Sequence, residues 1–301
     1  MDVVSQVREL GGATNRSTIV GLCGKRAVDQ ALHERLLLRD ARGRYSLPDA
    51  HHGVRVANSI GGVLSHRSAA AYWGWEQRNE RELPEVTVPR SKRVSRERRK
   101  VLIPHWSALS DADVAEELNY VTSKRRTIVD CFRNLPYVEA LAIADSAVRA
   151  GDFTREEIAA IAESTKGCGR RRIICVAEDA SDKAANALES GVRAVANLVT
   201  GLEPTPQMPI EVDEELTLHP DLGDPGLRTL VEAEGFETHG TNEGHDKDVV
   251  RYNILTLLGW LLVRFTWRQV MDDLAYVFDT LVGLVRVARP KPKHAHVALA
   301  A

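Results

Sequence analysis

Asp224-Pro225-Gly226 is the stretch that most narrows what this chain can fold into. Proline presets φ and glycine tolerates φ > 0, so the tripeptide reads as a tight turn. Its flanks, Leu218–Leu222 and Leu227–Glu234, read as two short strands, and the whole predicts a β-hairpin. Asp221 lies on the first strand. Glu232 and Glu234, two residues apart, share one face of the second. Such a hairpin gathers three carboxylates. Like charges that close repel unless a divalent cation or a shared proton offsets them. The plain alternative is a solvated edge that carries unrelated surface acids.

The hairpin sits in a chain of 301 residues, long enough for two or three domains. A net charge of −2 excludes a wholly basic nucleic-acid binder, so any such role rests on local patches. The four cysteines, Cys23, Cys131, Cys168 and Cys175, form no C-x-x-C pair and read as reduced, mostly buried thiols. The first residues lack a basic region followed by an apolar run, so no signal peptide is expected. The apolar run Ile254–Val263 is too short for a bilayer. A cytoplasmic protein with no membrane partner is expected.

Residues 1–50 read as helix, helix, helix, hairpin. The helices are Val3–Leu10, Arg16–Gly21 behind Thr14 or Asn15 as cap, and Lys25–Arg35. The hairpin is Leu36–Arg39 and Arg44–Leu47 about Gly43. This is the order of a winged helix-turn-helix. The third helix would be the recognition helix, with Lys25, Arg26 and Gln30 outward and Arg42 and Arg44 on the wing. Phosphate contacts from these residues would supply most of the affinity for DNA.

Residues 55–165 form a mixed α/β middle region. A helix over Gly62–Trp75 is entered through Ser65-His66-Arg67, and strands Glu85–Pro89 and Val101–His105 flank a basic run, Arg90–Lys100. The run is either a solvated loop or a mobile arm that clamps a DNA backbone. Arg126 and Asp130, four apart on a helix, can form an ion pair. After helix Thr154–Ala162, the segment Lys166–Arg172 reads as a glycine- and arginine-rich link. Helix Asp182–Val199, a polar loop, the hairpin, a helix around Asp246–Leu258, a strand Trp260–Phe265 and a helix to about Val287 follow. Trp260 and Trp267 read as core anchors of a strand covered on both sides. The tail 289–301 reads as disordered. The fold class expected is α/β, α+β overall.

Several of these residues resemble a known combination. Leu188-Glu189-Ser190, Pro220-Asp221, Glu232-Ala233-Glu234-Gly235, His239, Asp248 with Arg251, and Gly259 through Trp267 resemble the endonuclease-like domain related to very-short-patch-repair nucleases. That domain belongs to the PD-(D/E)xK restriction-endonuclease superfamily, and the match spans roughly residues 180–288. The N-terminal half resembles the winged-helix region of AbiEi antitoxins. Ser65-His66, Thr87-Val88-Pro89, Thr122, Arg126-Thr127 and Asp130 match the region found between the two.

The resemblance implies a central sheet flanked by helices, with Asp221, Glu232 and the helical acid Glu189 holding Mg²⁺ or Mn²⁺. Such a hard cation activates water and stabilises the charge that develops during phosphodiester hydrolysis. The superfamily's lysine would fall at Glu234, and a carboxylate cannot do a lysine's electrostatic work. His239 could then handle a proton, with Arg251 or Lys247 reaching the phosphate. Gly191 is a second departure, as it loosens the helix that aims Glu189. The expected function is a DNA-binding protein with a Mg²⁺-dependent endonuclease-like domain, in defence or repair. The alternative is a non-enzymatic regulator of an AbiEi-type toxin–antitoxin system, bound to the operator of a cognate toxin gene or to the toxin, with an inactive nuclease fold.

Overall fold

The computed structural model describes residues 2–79, 82–115, 120–235 and 242–289, the side chains of 242–247 excepted. The chain is mixed α and β and separates into two compact units, Met1–Ser181 and Asp182–Ala301. Among the described residues no helix is long and apolar enough to cross a membrane.

The first unit begins with α1 (Val3–Glu9), β1 (Ala13–Asn15), α2 (Arg16–Cys23), α3 (Lys25–His33), β2 (Leu38–Ala41) and β3 (Arg44–Ser46). The sheet order β1-β3-β2 is that of a winged helix. Local chemistry sets its boundaries. The Asp2 side chain caps α1 through Ser5 N–H, and Asn15 caps α2 through Thr18 N–H. Gly24, at φ 81°, takes the chain sharply from α2 into α3. Val7, Ile19, Val28, Leu37 and Tyr45 form the core of this part.

The same unit continues through α4 (His52–Ile60), β4 (Val63–Leu64), α5 (His66–Tyr72), β5 (Glu85–Val88) and β6 (Ile103–Trp106). Helices α6 (Lys124–Asn134), α7 (Tyr137–Arg149), α8 (Arg155–Ser164) and α9 (Arg170–Asp179) complete it. In the sheet β4-β5-β6 the first pair is antiparallel and the second parallel. Asn58 of α4 donates to Asp40 Oδ2 at 3.1 Å and to the Tyr45 carbonyl at 2.9 Å, tying α4 to the wing. The expected helix over 62–75 divides, because Val63–Leu64 pairs with β5 before α5 begins. The expected link 166–172 ends early, because Arg170 already opens α9. Thr154 and Glu157 form a reciprocal capping box at the start of α8.

The basic run between β5 and β6 is not a mobile arm. Val94 is buried in the core, the Trp106 indole N–H donates to the Lys92 carbonyl at 2.8 Å, and Arg99 lies over the Trp106 ring. Its other basic side chains are exposed on this fixed loop.

The second unit comprises α10 (Ala187–Asn197), β7 (Thr205–Pro206), β8 (Ile210–Glu211), β9 (Thr217–Leu218), β10 (Leu222–Asp224), β11 (Thr229–Glu234), α11 (Asn242–Leu257), β12 (Leu261–Thr266), α12 (Trp267–Asp272) and α13 (Leu274–Ala288). Its main sheet runs β7-β10-β11-β12, antiparallel except for the parallel pair β11–β12. The order helix, hairpin, helix, strand, helix is the expected one. The first hairpin strand is displaced, however. Thr217–Leu218 pairs with β8, and the strand facing β11 starts at Leu222.

Two further expectations are corrected. Strand β12 is an edge of the main sheet, with Leu261 38% exposed. Trp260 packs against the local core, whereas Trp267 is 42% exposed at the start of α12. Among the cysteines only Cys131 is buried; Cys168 and Cys175 are exposed. The expected disordered tail lies beyond the described residues except for Arg289.

Candidate metal-binding hairpin

The hairpin turn is built by Asp224. Its buried carboxylate accepts from Leu227 N–H at 2.9 Å and Glu203 N–H at 2.8 Å. Leu222 pairs with Val231 across the ladder, so Asp221, one residue earlier, falls opposite Glu232. Residues directly opposite on antiparallel strands point to the same face. This register is what brings the two carboxylates together.

Both groups are shielded from water. Asp221 Oδ2 accepts from Ala233 N–H at 2.7 Å. Burial raises the Asp221 carboxyl above its ordinary value, and this hydrogen bond and Arg251 oppose the rise. Burial pushes Glu232 up to about 8, and the charge of Asp221 adds to the effect. Without a cation the pair therefore holds a proton between them near neutral pH.

Arg251 of α11 is the local counter-charge. Its Nη2 lies 2.8 Å from Glu232 Oε1 and donates to the His219 carbonyl at 2.8 Å. The contact with Glu232 is one of charge and not of aligned hydrogen bonding, so buried Glu232 Oε1 receives no hydrogen bond among the described residues. A hard cation bound beside Asp221 would take this oxygen over from Arg251. Magnesium characteristically takes one or two protein carboxylates and completes its shell with water and substrate phosphate. Asp221 and Glu232 fit that requirement.

The other expected site residues are placed differently. The Glu234 carboxylate is engaged by Arg264 of β12 and accepts from the Tyr252 hydroxyl at 3.1 Å. The Arg264 guanidinium also lies 4.0 Å from the Tyr252 ring centroid. Glu189 accepts from Ala185 N–H at 2.8 Å and Asn186 Nδ2 at 3.2 Å, and so braces the start of α10. His239 and the side chain of Lys247 lie outside the described residues.

On the winged helix, Lys25, Arg26 and Gln30 are exposed along α3, where the recognition-helix reading placed them, and Arg42 is exposed on the wing. Gln30 bonds Glu34 on the same helix. Arg44 is half-buried and lies over Gly61, so it does not extend the wing's basic face.

One cluster was visible in the sequence only in fragments. Ser65, His66, Glu85, Thr87, His105, Arg126 and Asp130 come from four elements and their flanks and converge in the first unit. His105 and Glu85 carried no motif of their own.

No family model matches the chain, and no curated protein matches it. Among solved structures, the crystal structure of RV2827C protein from Mycobacterium tuberculosis is similar over 69% of this chain and 87% of that chain. The identity is 14% and the TM-score 0.33, a likeness that assigns neither fold family nor activity.

Proposed function

We propose that the chain is a DNA-binding protein whose second unit hydrolyses phosphodiesters with Mg²⁺ or Mn²⁺. The observation that carries this reading is the Asp221–Glu232 carboxyl pair, set side by side by the register of adjoining strands, with Arg251 as counter-charge. Asp221 and Glu232 would hold the cation. Bound there, it would supply an activated water and charge stabilisation at the scissile phosphate. Ala233 N–H fixes the Asp221 carboxylate, and Arg251 offsets the acid charge and stands beside the position of an incoming phosphate. The exposed face of α3 would supply contacts to the DNA backbone. The protein would act inside the cell, where its nucleic-acid substrate is.

The test is nicking of supercoiled plasmid with Mg²⁺, Mn²⁺ or EDTA, beside Asp221→Asn and Glu232→Gln. Metal-dependent nicking that both variants lose supports the reading. Absence of nicking by folded protein, on plasmid and on single-stranded and mismatched DNA alike, removes it.

A second reading draws on the arginines. Arg251 and Arg264 already offset Glu232 and Glu234, as in a nuclease fold retained without activity. The chain would then be a regulator of an AbiEi-type toxin–antitoxin pair, holding an operator through α3. Tight binding to its own promoter without nicking would favour it.

A further inference from the structure

The first unit contains a buried polar cluster that the nuclease reading does not use. His66, the first residue of α5, has φ 53° and is 4% exposed. A non-glycine residue in the left-handed region is strained and persists only where its surroundings over-determine it. Here they do. His66 Nδ1 lies 2.9 Å from Ser65 Oγ, which also accepts from the Thr87 hydroxyl at 2.8 Å. His66 Nε2 lies 3.2 Å from Asn134 Nδ2. The amide can only donate, so Nε2 accepts and Nδ1 carries the proton.

The His105 ring stacks on His66, with centroids 3.6 Å apart and planes 16° from parallel. His105 Nε2 is held by buried Glu85 Oε2 at 2.7 Å. Burial holds the His66 imidazole well below its usual value, and His105, Arg126 and Arg67 push the same way. The stack therefore contains a neutral ring in a field of positive sign. It borders a pocket of about 210 Å³ lined also by Trp106, Ser107, Arg126, Asp130, Arg133 and Asn134. Arg126 is braced by Asp130 at 2.9 Å and Asp113 at 3.3 Å. Arg133 has no such acid among the described residues, and its buried Nε has no acceptor.

Ligand atoms of His66, Glu85 and His105 all lie within 4.8 Å of one another, which raises a metal ion as the occupant. The geometry argues against it. Nearly parallel stacked rings share no nearby point in both ring planes, where imidazole lone pairs point. Both nitrogens of His66 already have partners. Asp130 on the wall is already held by Arg126, and Arg133 beside that pair suits an oxyanion, which guanidinium groups bind with directed hydrogen bonds.

We propose that this pocket binds a phosphate-type oxyanion, with Arg133 and Arg126 facing its charge and His105, positioned by Glu85, hydrogen-bonding it. The volume lies below the ~300 Å³ at which sites for drug-sized ligands begin, so the pocket takes a phosphoryl group and only part of what it is attached to. The fixed basic loop adjoins the pocket through Arg99 on Trp106, so a phosphate within a nucleic acid and a free phosphate ester are both admissible sources. This inference does not depend on the nuclease reading.

The test is calorimetric titration of the full chain with inorganic phosphate, a nucleoside 5′-monophosphate, matched 5′-phosphorylated and 5′-hydroxyl oligonucleotides, and Zn²⁺. Saturable phosphate binding is expected. It should weaken by about tenfold or more in Arg133→Gln and in His105→Gln, as for loss of one charge-assisted hydrogen bond. Arg133→Lys, which keeps the charge, should recover part of it and covers the case of a poorly folded glutamine variant. Asp221→Ala should bind phosphate as the native chain does, whatever its effect on nicking. Preference for the 5′-phosphorylated oligonucleotide over the mononucleotide would assign a nucleic-acid end; the reverse would assign a free ester. No saturable phosphate binding, or binding indifferent to both substitutions, overturns the proposal. So does Zn²⁺ binding that His105→Gln removes while phosphate does not bind.

Discussion

Asp221 accepts a 2.7 Å hydrogen bond from the backbone N–H of Ala233, the residue between Glu232 and Glu234. The side chain of one strand thereby continues the ladder where the main chain of β10 has not yet begun. The bond locks the Asp221 carboxyl against that of Glu232. Every expectation about the acid pair follows from this enforced proximity.

The first expectation concerns pH. Glu232 binds its proton up to about pH 8 when folded, but an unfolded glutamate releases it near 4.5. Between these values the folded state holds more protons, so stability falls as pH rises through this window. Burial raises Asp221 in the same direction. Thermal unfolding in EDTA from pH 5 to 8.5 should show the decline, and Glu232→Gln should flatten it. Mg²⁺ should restore stability most at the high end, because the cation competes with the shared proton. A flat native profile would mean that the pair is not protonated.

Glu189 separates two roles for the helical acid. Its carboxylate is occupied by Ala185 N–H and Asn186 Nδ2, so Glu189→Ala should lower stability by about 1 kcal/mol, as for loss of a helix cap. Metal-dependent nicking should persist. Loss as complete as in Asp221→Asn would return Glu189 to the metal.

Arg251 bridges the acid site and the strand entry at His219. Arg251→Met leaves Glu232 without its counter-charge and the His219 carbonyl without its donor, and should destabilise the chain by about 1–3 kcal/mol. Because Arg251 opposes the rise of Glu232, the pH at which Mn²⁺ binds half-maximally should move upward. Calorimetry across pH would read this directly; an unmoved midpoint would show that Arg251 is not the counter-charge.

DNA binding by the first unit can be tested without nuclease activity. Lys25→Glu with Arg26→Glu should weaken binding and flatten its salt dependence, since phosphate contacts release counterions. Val94→Ser should also weaken it if the basic loop takes part, because Val94 anchors that loop in the core. Fluorescence anisotropy at several salt concentrations would measure both. Unaltered affinity in the first variant removes α3 as the reading helix.

The winged-helix order, the hairpin and the succession of elements in the second unit were legible because local chemistry dictates them. Caps at Asn15 and Thr154 and the turn at Asp224-Pro225-Gly226 act within a few residues. The meeting of Asp221 with Glu232 was legible for the same reason, through hairpin register. What pairs with Glu234 was not, since Arg264 arrives on a parallel strand from beyond α11. Nor was the edge position of β12, because alternation along a strand does not say whether a neighbour lies beyond it. The His66–His105 stack escaped for a similar reason, since β5 and β6 pair across the basic run and sequence spacing says nothing of ring overlap.

The pairing of Glu234 with Arg264 has an evolutionary consequence. A mutation to lysine at 234 would set two cations side by side where an ion pair now stands. That single step is penalised unless position 264 has first lost its charge. A lysine at 234 thus requires an order of mutations in which the neighbouring strand changes first, a case of sign epistasis written into strand register.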